Sequence, residues 1–263
     1  MFSARRWTLK VVPKPMIDYP ELNTLLTHLL EGAKEVLGSN FAGLYLHGSL
    51  ATGGFNTETS DIDFVVAMRE NISAVTFDAL RSLHYQLANT ENQYAKRLEG
   101  CYIPLSRLRR YDPQNCTFPC VEVGGEFRMG EQIGTLQLYV LREQSVIVEG
   151  DDLRQVITPI SEEEVRQSSQ ATLEEWWKPQ LEDTHRLERA DYQVYAVLTM
   201  CRILYTQQYA RITPKYKAGL WAIETLASEW EPLLSEALHW RPENEFHHLE
   251  ETLALIRYTL AWV

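Results

Sequence analysis

HGSLATGGFNTETSDIDFVV, residues 47–66, is the stretch on which the reading of this chain turns. An apolar run entering Gly48-Ser49 makes a strand ending in a tight turn, where backbone N–H groups and a hydroxyl can approach a phosphate. After a Gly- and Thr-rich loop, DIDFVVAM (61–68) reads as a second short strand of β-branched and aromatic residues. Asp61 and Asp63 are two apart on it, so their side chains share a face. Two carboxylates on one face repel, and burying them without a counter-charge is costly. Their neighbours Ile62, Phe64, Val65 and Val66 are too apolar for a fully exposed strand, so the pair is expected to hold a cation. Oxygen ligands favour Mg²⁺ over zinc, and Mg²⁺ usually takes one or two carboxylates together with substrate phosphates.

Around this stretch the chain has two textures. ELNTLLTHLLEGAKEVL (21–37) carries apolar residues at helical spacing, and FAGLYLHGS (41–49) is the strand that enters the turn. A helix is expected over about residues 75–90, a third strand in LEGCYIPL (98–105), a helix near 135–144 and a strand in SVIVEG (145–150). The Pro-, Gly- and Cys-containing segment 111–134 is expected to form irregular strands or a β-hairpin. After Pro159 almost everything is helical, starting with Ser161 and a Glu three residues later, a capping-box signature. The expectation is an α+β fold: a mixed-sheet domain over 1–157 and an all-helical domain over 158–263.

Composition narrows the function. The 263 residues are 45% hydrophobic and 23% charged, ordinary for a folded globular protein. A formal charge of -11 opposes nucleic acid as the main partner, because such affinity rests on Lys and Arg neutralising phosphates, and it suits a cationic one. No run approaches the roughly 18 apolar residues of a membrane helix. The N-terminal residues 1–20 contain no apolar signal-peptide core and are read as an exposed tail or edge strand. A cytoplasmic monomer is expected. Cys101 and Cys201 sit among apolar residues and are read as core thiols, and Cys116 with Cys120 lacks the second pair that a zinc site needs, so neither zinc nor a disulfide framework is expected. His247-His248 are read as solvated residues on a surface helix. Trp176, Trp177, Tyr192, Tyr195, Trp221 and Trp230 are assigned mostly to helix core, with one or two available to an acceptor pocket.

Hydrophobic-Gly-Ser followed by hydrophobic-Asp-hydrophobic-Asp resembles the nucleotidyltransferase motif of the DNA polymerase β superfamily. In LREQSVIVEG (141–150) and VLTMCRILYTQQYARITPKYKAGLWAIE (197–224) the chain also looks like the aminoglycoside (3″)(9)-type adenylyltransferases, which add a helical C-terminal domain. That resemblance implies transfer of AMP from ATP to a drug hydroxyl of the streptomycin or spectinomycin type, with release of pyrophosphate. It implies Asp61, Asp63 and Glu99 as metal ligands, Glu99 also being the base, and Gly48, Ser49, Ser60, Arg202 and Lys215 as residues that hold the nucleotide. The acidic residue that meets the cationic drug would be Asp191, one position displaced from the family pattern, or Glu188, and the family's middle Trp has no counterpart in EFRMGEQIG (126–134). A nucleotidyltransferase with a different small-molecule or protein acceptor, and a non-catalytic nucleotide-binding module, remain as alternatives.

Overall fold

The computed structural model describes residues 19–130 and 133–263, so the N-terminal tail or edge strand, and Glu131 and Gln132, lie outside the described residues. The chain opens with α1 (Pro20–Leu37), whose Leu22, Leu25, Leu26, Leu29 and Ala33 recur at helical spacing and are fully buried. Then follow β1 (Phe41–Leu46), the short α2 (Gly48–Thr52), β2 (Ile62–Met68), α3 (Ala74–Ala88), β3 (Leu98–Pro104) and a single turn, α4 (Leu105–Leu108). The segment read as strands or a hairpin is a hairpin, β4 (Phe118–Val121) and β5 (Phe127–Gly130), with Gly124 and Gly125 at positive φ in its turn. α5 (Thr135–Gln144) and β6 (Val146–Gly150) complete this half. Beyond it are α6 (Glu162–Thr172), α7 (Ala190–Tyr209), α8 (Lys215–Thr225), α9 (Glu231–His239) and α10 (Leu249–Trp262). Ser161 caps α6 as expected: its hydroxyl accepts the Glu164 N–H at 3.3 Å, and the Glu164 carboxylate accepts the Ser161 N–H at 2.9 Å.

The strands form one sheet in the order β5-β4-β3-β2-β1-β6, in which only β2 and β3 run parallel. Alternation along the strands gives each face its own core. Leu44, Leu46, Phe64, Val66 and Tyr102 pack beneath α1 and α3. Tyr45, Val65, Ala67, Cys101 and Ile103 face the other way, towards Leu138 and Leu141 of α5. A third core lies within the helical half, built on α7 with Trp177, Ala218, Leu234 and Ile256.

Two expectations are corrected. Cys101 and Cys120 are not free core thiols but a disulfide between directly paired residues of β3 and β4. Cys201 is free and buried, as read, and Cys116 is free and buried as well. The bond went unseen because the two residues meet only through sheet pairing, 19 positions apart. His247 and His248 are not on a helix; they precede α10, and His248 Nε2 lies 3.0 Å from a Glu236 carboxylate oxygen. Among the described residues no helix is long and apolar enough to cross a membrane.

β2 and β3 approach as closely as they do because position 100 is glycine. Gly100 pairs with Phe64, and a Cβ there would lie 2.2 Å from the Phe64 carbonyl oxygen. Gly100→Ala is therefore expected to cost about 1–3 kcal/mol, in the manner of other overpacked cores. Urea unfolding of the variant measures it, and an unchanged midpoint would contradict the close approach.

Candidate active site

Asp61 immediately precedes β2 and Asp63 is its second residue. Asp63 pairs in register with Glu99, the second residue of β3, so both project from the same face at the same end of the sheet. The turn after β1 folds back over this end. The His47 N–H donates to the Asp63 carbonyl at 3.0 Å, and Gly48 opens α2 at φ 58°. A Cβ on Gly48 would sit 1.9 Å from Asp63 Oδ2, so the turn closes on the carboxylate only with glycine there. Ser49 Oγ, beside it, is buried with no hydrogen-bond partner. A buried hydroxyl left unsatisfied costs free energy, and a ligand oxygen is one way of meeting it.

Between α2 and β2, Ser60 Oγ accepts the Asn56 N–H at 2.9 Å and so closes the loop on itself. Arg97 stitches this loop to β3, donating from Nε to the Ser60 carbonyl at 2.8 Å and from Nη1 to the Thr57 carbonyl at 2.6 Å. Ser60 is thus committed to the loop through both its hydroxyl and its carbonyl. Arg97 was missed by the sequence reading, although it stands two residues ahead of Glu99 and bears electrostatically on Asp61.

The helical half supplies two cations. Arg202 is on α7 and Lys215 is the first residue of α8. Pro214 places Lys215: a Cβ on Gly54 would lie 2.9 Å from the Pro214 ring, so the glycine loop and the start of α8 touch. The Gln144 amide, at the end of α5, donates to the Ile212 carbonyl at 3.1 Å and ties the same segment down. Lys215 Nζ lies 4.2 Å from the centre of the Tyr195 ring, a cation–π contact. Neither Arg202 nor Lys215 makes a hydrogen bond or ion pair with a described residue.

The charges strain one another. Burial, then the charges of Asp63, Asp61 and Glu122, push the Glu99 carboxyl up to about 7. Burial and Asp63 raise Asp61, against the pull of Lys215 and Arg97. Burial and the neighbouring Arg202 bring Lys215 down to about 8, opposed by Asp61 and Asp63, and burial lowers Arg202 as well. Such concentrations of shifted groups are characteristic of functional sites. Among the described residues no three His, Cys, Asp or Glu converge into a ready-made metal shell. The all-oxygen donors, the glycine cradle and the orphaned Ser49 hydroxyl fit Mg²⁺, which completes its shell with phosphate and water.

The structure therefore brings Asp61, Asp63, Glu99, Arg202 and Lys215 within electrostatic range of one another, with the Gly48-Ser49 turn closed over Asp63. Asp191 is elsewhere engaged, its carboxylate 2.5 Å from Arg189 in the first turn of α7, and Glu188 lies in the short turn before it. The carboxylates that bear on Glu99 are Asp63, Asp61 and Glu122, not these two. Of the aromatic residues read as core, Trp177 is buried, whereas Tyr195 reaches the cleft within electrostatic range of Glu99.

Comparison with known proteins agrees with this arrangement. Residues 30–112 match the nucleotidyltransferase domain family, and residues 155–261 match the family described as aminoglycoside adenylyltransferase, C-terminal domain. An aminoglycoside (3″)(9) adenylyltransferase of Shigella flexneri is 23% identical over 229 residues, covering 82% of this chain and 84% of the relative. A spectinomycin 9-adenylyltransferase of Campylobacter jejuni is 25% identical over 241 residues, covering 86% and 89%. The crystal structure of spectinomycin adenyltransferase AAD(9) from Enterococcus faecialis, solved with ATP and spectinomycin, has the same fold, with a TM-score of 0.69 over 90% of this chain and 98% of that one at 18% identity. With a nucleotidyltransferase domain followed by an aminoglycoside-adenylyltransferase C-terminal domain, the chain is an enzyme of the nucleotidyltransferase type, built on the plan of the aminoglycoside (3″)(9) and spectinomycin adenylyltransferases.

Proposed function

We propose that this enzyme moves AMP from ATP to a hydroxyl of an aminoglycoside or aminocyclitol antibiotic, of the streptomycin or spectinomycin type, and releases pyrophosphate. The observation that carries the reading is the pair Arg202 and Lys215, two buried cations with no ion pair among the described residues and within electrostatic range of the Asp61 and Asp63 carboxylates. A triphosphate bound with its metal satisfies both sets of charges at once, and the relatives' activities supply the acceptor class.

Asp61, Asp63 and Glu99 would hold Mg²⁺, which when bound supplies positive charge to the phosphate oxygens. The Gly48-Ser49 turn takes the terminal phosphates, Ser60 keeps the loop beside them closed, and Arg202 and Lys215 meet the charge that builds on the leaving pyrophosphate. The acceptor oxygen forms its bond to the α-phosphorus as the bond to the bridging oxygen of pyrophosphate breaks, and the hydroxyl proton passes to Glu99. Glu188 and Asp191 are assigned to the cationic drug, which requires Asp191 to exchange Arg189 for it. The chain works as a monomer with a domain boundary at residue 157. Cytoplasmic residence is part of the reading.

The first test is pyrophosphate release from Mg-ATP with streptomycin, with spectinomycin and with neither. Release that depends on one of the drugs is expected; equal release with all three would remove the drug from the reaction. Asp63→Asn is expected to abolish this release while its thermal midpoint stays near that of the wild type, and turnover in purified Asp63→Asn would end the metal assignment.

The raised pKa of Glu99 sets a pH dependence. Without metal its folded value of about 7 exceeds the ordinary 4.5 of a glutamate, so its contribution to stability is fully present below 4.5 and is lost as pH rises through 7. Binding Mg²⁺ requires the ionised form. Added Mg²⁺ should therefore raise the melting temperature at about pH 7.5 and much less at about pH 5.5, with the pH 7.5 increment gone in Asp63→Asn. Differential scanning fluorimetry at the two pH values decides this, and an equal increment at both would contradict it.

A further inference from the structure

Glu122 has no part in the reaction just described, yet the sheet sets it beside the base. Gly100 pairs with Val121 and Cys101 with Cys120, so the next antiparallel pair out is Glu99 with Glu122. On β2, Asp63 is already the partner of Glu99. Glu122 directly follows β4, so continuing the register sets the row Asp63, Glu99, Glu122 across the ends of three neighbouring strands on one face, at intervals of about 4.8 Å. The hairpin closes immediately beyond it, with the Glu122 N–H donating to the Glu126 carbonyl at 2.9 Å. One pleat back on the same face, the Cys101–Cys120 disulfide joins the two strands that carry Glu99 and Glu122 and holds their interval.

The row has a polarity. Lys215 and Arg202, the cations assigned to the pyrophosphate, act on the β2 side, on Asp61 and Asp63. Glu122 is on the opposite side of Glu99, the side from which a hydroxyl in line with a departing pyrophosphate must enter. Like charges directly opposed across strands are destabilising, so Glu122 beside Glu99 works against the fold. Among the described residues its one ion pair is with Arg128 of β5, and both side chains are substantially exposed, at 35% and 51%. An exposed pair of this kind contributes little and exchanges readily with a cationic ligand.

We infer that Glu122 is a specificity-determining residue that takes a cationic amino or guanidino group of the acceptor while the reacting hydroxyl of the same molecule rests at Glu99. The inference builds on the assignment of Glu99 as the base in the proposed reaction. One strand interval separates the two carboxylates, so the acceptor carries its hydroxyl and its cationic nitrogen on the same ring or on atoms equally close. A neutral polyol fits the row poorly, because it leaves Glu122 uncompensated.

The test is equilibrium binding of spectinomycin and of streptomycin, by calorimetry, to the wild type, Glu122→Gln and Arg128→Ala, each with Mg²⁺ and α,β-methylene ATP present. Glu122→Gln should weaken the drug that supports pyrophosphate release by about tenfold while the affinity for α,β-methylene ATP stays within twofold. Arg128→Ala, which frees Glu122, should bind that drug as tightly as the wild type or more tightly. A loss below threefold in Glu122→Gln, or equal losses in both variants, would overturn the role of Glu122 and leave the proposed reaction standing. A wild type that neither binds a drug nor releases pyrophosphate with one would overturn both.

Discussion

Charges whose partner is not part of the chain govern this molecule. Asp61, Asp63 and Glu99 crowd one end of the sheet, where burial and their neighbours' charges raise the cost of ionising Asp61 and Glu99, while Arg202 and Lys215 lie within electrostatic range without an ion pair among the described residues. A protein optimised for stability alone would let these groups meet, or replace them with apolar side chains. Here the two sets are held near each other and apart. The free energy withheld from folding is then available to a ligand that carries both signs of charge, as a metal-bound triphosphate does.

Keeping them apart is the task of the backbone. The parallel pairing of β2 and β3 sets Asp63 beside Glu99, and the missing side chain of Gly100 lets the strands come close. On the other side of the cleft, contact between Gly54 and Pro214 and the Gln144 bond to Ile212 place the start of α8, and with it Lys215. The Tyr195 ring holds the ammonium in the meantime. Each functional charge therefore sits at the end of a regular element whose own packing does not depend on it.

What could be read from the sequence was local, and what could not was register. The strand-turn-strand around Gly48, Ser49, Asp61 and Asp63 lies within a short stretch, so spacing and residue type sufficed. The helices carrying Arg202 and Lys215 announced themselves by periodicity, but only family resemblance pointed those two residues at the site. Glu122 and Arg97 reach the cleft through strand pairing and loop closure, which leave no trace in a linear pattern. The same applies to Cys101 and Cys120, brought together by β3 meeting β4, and it is why Cys101 reads as an ordinary core thiol. At His247 and His248 the error was one of boundary: α10 begins at Leu249, just past them.

The turn at Gly48 has a consequence in genetics. Every missense change in a glycine codon adds at least a Cβ, and at this position that atom would fall 1.9 Å from the Asp63 carboxylate on a backbone at φ 58°. The five-residue α2 that follows carries no residue of the buried core, so the damage would be confined to the cleft. On the proposed metal role of Asp63, a single nucleotide substitution in this codon offers a lineage a one-step exit from catalysis with most of the folded scaffold retained. On the same assignment the reaction, and not the fold, holds glycine at 48, and its replacement in a descendant would mark the loss of the reaction before any loss of the fold.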